Sequence, residues 1–135
     1  MIAGLPDGLT RGEGAELARC IERATPIELP ELLRKAEVHV ECVARARERR
    51  AFVNLALAQA ILGAIRAVIA DWDRVPASAR SSCRGMILYF CEGADEEDDL
   101  DSPIGFEDDA EVLNACLRLA GLPELCISTE DYDDA

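Results

Sequence analysis

The stretch AFVNLALAQAILGAIRAVIA, residues 51–70, decides the fold. Phe52, Val53, Leu55, Leu57, Ile61, Leu62, Ile65, Val68 and Ile69 point to every side of a helix, and seven alanines fill positions between them. An apolar run of this kind belongs to a helix buried on most sides or to one lying in a membrane. At about 1.5 Å of rise per residue, some 20 residues are enough to cross a bilayer. Arg45, Arg47, Arg49 and Arg50 before the run, with Asp71 and Asp73 after it, even resemble the charge asymmetry of a span. Asn54, Gln59, Gly63 and Arg66 decide the matter. An arginine near the middle of a span costs about 2.5 kcal/mol or more, and alanine supplies little to offset it. The reading is a buried core helix, not a membrane segment.

Working outward, the apolar period stays helical. Thr10 and Glu13 form a capping box, and Leu17, Cys20, Ile21 and Ala24 follow at helical spacing. Thr25 and Glu28 suggest a second box with Pro26 at the first helical position, although Pro30 allows the helix to start later. Leu29, Leu32, Leu33, Ala36, Val40 and Val43 then make one stripe, opposite Arg34, Glu37, Glu41, Arg45 and Glu48. Pro76 starts a fourth helix, whose Cys83, Met86, Ile87 and Phe90 carry it to about Cys91. A fifth places Asp108, Asp109 and Glu111 in its first turn, favourable to the helix dipole, and Leu113, Cys116, Leu117 and Ala120 on one face. Gly121 and Pro123 end it, and Leu125 to Ile127 form a short apolar run suited to docking. No strand-like alternation and no internal repeat appears. The sum is an all-α, single-domain bundle of about five helices around a central apolar helix, residues 51–70. Residues 1–127 form the domain, with an acidic loop at 92–111, and 128–135 read as a flexible acidic tail.

The formal charge of −13 is unevenly distributed. Residues 1–91 hold 11 acids and 13 bases, whereas 92–135 hold 16 acids and a single base, Arg118. In the first part Arg45, Arg47, Arg49 and Arg50 are the only basic cluster, and Lys35 is the only lysine. So negative a segment repels nucleic acid and anionic lipid, and leaves a protein, a cation or an uncharged molecule as ligand. Met1 to Gly8 lacks the basic region, apolar stretch and small-residue site of a secretory signal, which predicts a cytoplasmic protein with its six cysteines reduced.

The candidate chemistry lies in that acidic loop. Hard carboxylate oxygens from Asp95, Asp99, Asp108 and Asp109 would suit Ca²⁺ or Mg²⁺. The register of a calcium-binding hand fails, however. With Asp95 first, Leu100 stands where the glycine belongs and Phe106 where the bidentate glutamate belongs. Paired carboxylates also invite acid–base catalysis, yet so dense a run makes pairs by density alone, and no reaction is named by it. His39 and Cys42 are helical neighbours without further ligands, so His39 reads as a boundary histidine beside an apolar stripe. Cys20, Cys83 and Cys116 read as small core residues. Gly4, Gly8, Gly12 and Gly14 match no phosphate-binding loop.

Leu88-Tyr89-Phe90, then Asp95, Asp99, Gly105, the pair Asp108-Asp109 and Val112, fall at the spacings of a known signature. The segment 88–112 resembles the YkvA-like family, bacterial helical domains of unknown function. In that family an aromatic helix end leads into Pro-x-Asp-x-Ile-Pro-Asp, a glycine and an Asp-Asp pair. Gly93 replaces the first proline and Glu97-Asp98 replaces Ile-Pro, which removes an apolar anchor and makes the loop more acidic. The resemblance implies a helix, Asp-rich loop and helix unit, with the matching aspartates serving the loop itself. Glu96, Glu97, Asp98 and Asp101 are then left for a partner. The expectation is a non-enzymatic interaction module of immunity, inhibitor or adaptor type, offering its acidic loop to a basic protein. The alternatives are a divalent-cation domain, or a loop folded on the chain's own Arg45–Arg50 cluster.

Overall fold

Where Thr10 precedes the first apolar period, its Oγ1 accepts from the Glu13 backbone N–H at 3.1 Å and the Glu13 carboxylate accepts from the Thr10 N–H at 2.9 Å. This reciprocal box opens α1 (Arg11–Ala24), as the sequence predicts. The computed structural model describes residues 6–49, 55–92 and 107–128, and these hold four further helices: α2 (Leu29–Arg49), α3 (Leu55–Ala70), α4 (Ala77–Glu92) and α5 (Glu107–Leu119). Single 3-10 turns lie at Trp72–Arg74 and Pro123–Leu125. There is no strand among the described residues, and none of their helices is long and apolar enough to cross a membrane.

The expected second capping box does not form. Thr25 ends α1 instead of starting α2: its hydroxyl donates to the Ile21 carbonyl at 2.7 Å and its N–H reaches the same oxygen at 3.1 Å. A threonine one turn past a carbonyl can satisfy it, and the backbone that does so is helical, not the extended backbone of an N-cap. Pro30 then falls in the first turn of α2, where its missing N–H has no intrahelical bond to lose.

α4 is the hub of the bundle: α1, α2 and α5 all pack on it, while α3 packs on α2 and touches α5. The apolar 51–70 helix was expected at the centre and buried on most sides. Over its described residues Leu57, Ala58, Ile61, Leu62, Ala64, Ile65 and Val68 are buried, but Gln59, Gly63, Arg66 and Ala70 form an exposed stripe. Gln59, Gly63 and Arg66, which argue against a membrane, are thus on its solvent face, and Arg66 reaches Glu37 of α2 at 3.1 Å. Small alanines let a helix be mostly apolar in composition without being central. α4 can be central because Gly85 lets α1 approach closely. A Cβ there would overlap Ile21 Cγ1 and stand 3.1 Å from that residue's Cα and N.

The core joins Leu17, Leu32, Ile61, Ile65, Ile87, Phe90, Leu113 and Leu117, each less than 2% exposed. Each such side chain stabilises the fold by about 1.5–3 kcal/mol relative to an exposed one. Ile21 beside Gly85 sets α1 antiparallel to α4, given that Tyr89 meets Glu13 and Glu16 near the other end. Cys116 Sγ on the Ser82 carbonyl, with Asp108 and Asp109 by Tyr89, sets α5 antiparallel to α4. The N-terminal ends of α1 and α5 therefore share one end of the bundle with the C-terminal end of α4.

The opposite end is sealed by arginines. Arg84 Nη2 donates to the Ile27 carbonyl and, at 3.4 Å each, to those of Ala24 and Thr25, capping α1 and holding the corner to α2. Arg80 Nε donates to Val75 O at 3.0 Å, and its guanidinium lies 6.0 Å from the Trp72 ring centroid. Arg74 pairs with Glu124 at 3.2 Å. α5 ends as predicted at Gly121, whose φ of +76° suits glycine. Leu122 N–H returns to Leu117 O at 2.9 Å and Gly121 N–H to Arg118 O at 3.1 Å, the two bonds of a Schellman ending. Beyond it the apolar run Leu125, Cys126 and Ile127 packs against the core. The Asn114 amide clamps Ile127, donating to its O at 2.7 Å and accepting from its N–H at 2.8 Å.

Candidate functional site

The acidic segment leaves the described structure at the end of α4 and re-enters it at the start of α5, so the site is built from what those ends carry. Tyr89 lies in the last turn of α4, partly buried. Burial pushes its phenol well above the ordinary value, and the carboxylates of Asp109, Asp108, Glu13 and Glu16 push it further. One aromatic side chain thus stands among acids from two other helices. Oxygen atoms of Glu13, Asp108 and Glu111 also lie within 4.8 Å of one another.

Three carboxylates so close should repel. Two features offset this. Glu13 stands in the first turn of α1 and Asp108 in the first turn of α5, so unpaired N–H groups of two helices face the same negative charge. Asp108 and Glu111 are also exposed, where water screens them. Glu13 is buried, at 8% exposure, and one of its oxygens accepts from the Thr10 N–H.

Of the expected metal set, only Asp108 and Asp109 fall within the described residues. Asp108 is exposed beside Glu13 and Glu111, whereas its neighbour Asp109 is buried at 7% exposure. Asp95 and Asp99 lie outside the described residues, as do Glu96, Glu97, Asp98 and Asp101, assigned above to a partner. Glu13 and Glu16 belong to the acidic end but were not legible as such. The sequence marks Glu13 as a capping residue, and nothing in the local pattern marks its approach to α5.

Chemically, the trio supplies hard anionic oxygens. Ca²⁺ takes about six to eight oxygens, so three carboxylates, one already accepting a backbone N–H, make only part of a coordination sphere. A guanidinium or ammonium group of another protein needs only one or two carboxylates. Arg45 and Arg47, near the C-terminal end of α2, are exposed and partly buried respectively. His39 of α2 and Phe90 of α4, with ring centroids 4.6 Å apart, fix α2 beside this same end of α4.

The remaining candidates resolve into structure. His39 is a core residue, not a boundary one, at 4% exposure with its ring edge-on to Phe90 at 75°. Cys42 is exposed, so the two do not form a dyad. All six cysteines are thiols, and Cys20, Cys83 and Cys116 are buried as expected. Burial raises the Cys83 thiol to about 12 and pushes Cys116 upward as well, with Cys83 adding to the effect on Cys116. Such thiols stay neutral and unreactive at ordinary pH. Cys126 is raised by burial too, against the lowering influence of Arg118.

Of the YkvA-like pattern, Leu88-Tyr89-Phe90, Asp108-Asp109 and Val112 fall in the described residues, and Asp95, Asp99 and Gly105 fall outside them. No protein-family model, curated protein or solved structure matches the chain.

Proposed function

We propose that the chain is a non-enzymatic interaction module that offers its acidic end to a basic protein surface, in the manner of an immunity protein, inhibitor or adaptor. The observation that carries this reading is the gathering of Glu13, Glu16, Asp108 and Asp109 around Tyr89, where the acid-rich stretch is rooted. Residues 92–135 hold 16 of the 27 acids, and Glu13 and Glu16 of α1 act on Tyr89 together with Asp108 and Asp109. Charge concentrated so strongly in one part of the chain accelerates encounter with an oppositely charged surface and discriminates against wrong partners. On this reading Glu96, Glu97, Asp98 and Asp101 meet the partner, nucleic acid is excluded by repulsion, and the protein works in the cytoplasm with its thiols reduced. The 88–112 unit is then a YkvA-like helix, Asp-rich loop and helix whose own aspartates build the loop.

The test uses the immobilised full chain and its quadruple variant E96R/E97R/D98R/D101R to capture proteins from native lysate at about 50 mM salt, where the screening length is near 14 Å. The captured set should be basic, released by high salt and lost with the variant. Capture unchanged by the charge reversal would sink the proposal. A second reading, a Ca²⁺ or Mg²⁺ site, draws on Asp108 standing within 4.8 Å of Glu13 and Glu111. Thermal melts with millimolar Ca²⁺, Mg²⁺ and Mn²⁺ decide it, because an ion bound only by the folded chain must raise the midpoint.

A further inference from the structure

We draw no further inference here: the strongest candidate, the carboxylate cluster of Glu13, Asp108 and Glu111 at the adjoining N-terminal ends of α1 and α5, belongs to the acidic site already described, and no second feature of the structure points to a ligand for it.

Discussion

The two ends of the bundle are built on opposite electrostatic plans. At one, two arginines are turned onto backbone carbonyls and a third onto a carboxylate: Arg84 closes α1, Arg80 closes the turn before α4, and Arg74 reaches Glu124 beyond α5. At the other, carboxylates face one another around Tyr89 and are tolerated because helix N-termini and water offset their repulsion. The difference separates two tasks. Charge at the first end satisfies the chain's own acceptors, and charge at the second gathers like groups from two helix starts.

Substitutions can break that contrast. The largest effect is expected near the arginine end, at Gly85. Gly85→Ala drives a methyl into Ile21, and overpacking of this kind costs about 1–3 kcal/mol even though alanine favours the helix. Urea denaturation should show the lower midpoint, and in an Ile21→Ala background, which lacks the Cγ1 that the methyl meets, Gly85→Ala should cost less. Next comes Arg84→Met, which keeps the apolar stem but leaves the carbonyls of Ala24, Thr25 and Ile27 without their cation, for a loss of about 1–2 kcal/mol. Asn114→Ala removes both bonds to Ile127, costs about 1 kcal/mol, and should speed amide exchange at Ile127. At the acidic end, Asp108→Asn should shift stability by no more than about 0.5 kcal/mol, relieved repulsion from Glu13 cancelling lost dipole interaction. A loss as large as that of Arg84→Met would erase the contrast.

The smallest effect is a change of slope in alkali. Tyr89 and Cys83 have folded-state values raised above the ordinary 10.0 and 9.0, so folding favours their neutral forms. Their contribution is complete below the ordinary values and is lost as pH rises, first through the thiol from about pH 9 and then through the phenol from about pH 10. Tyr89→Phe should make the decline above pH 10 shallower in urea midpoints recorded from pH 8 to 11. An unchanged slope would mean that neither burial nor the four carboxylates raise the phenol in the folded chain.

How much of this the sequence discloses depends on how far apart the interacting residues lie. The Thr10 box, the stripe of Leu32, Ala36, Val40 and Val43, the Cys83-to-Phe90 period and the Gly121 ending are local patterns, and each appears where the spacing puts it. Thr25 misleads because one hydroxyl can serve either end of a helix, and only the neighbouring backbone decides which. Gly85 looks like a mere weakness in a helical run until Ile21 of a distant segment is laid against it. Asn114 gives no local sign of holding Ile127, and Glu13 none of meeting Asp108. The acidity of the site was legible as density, while its shape depended on which helix ends the fold brings together.

Lys35, the only lysine, is exposed on α2. Amine-reactive chemistry therefore has one side-chain address, on a helix that contributes no carboxylate to the cluster around Tyr89. A dye or a surface linker placed on Lys35 leaves every carboxylate untouched, at a known address on a helix apart from the acidic cluster.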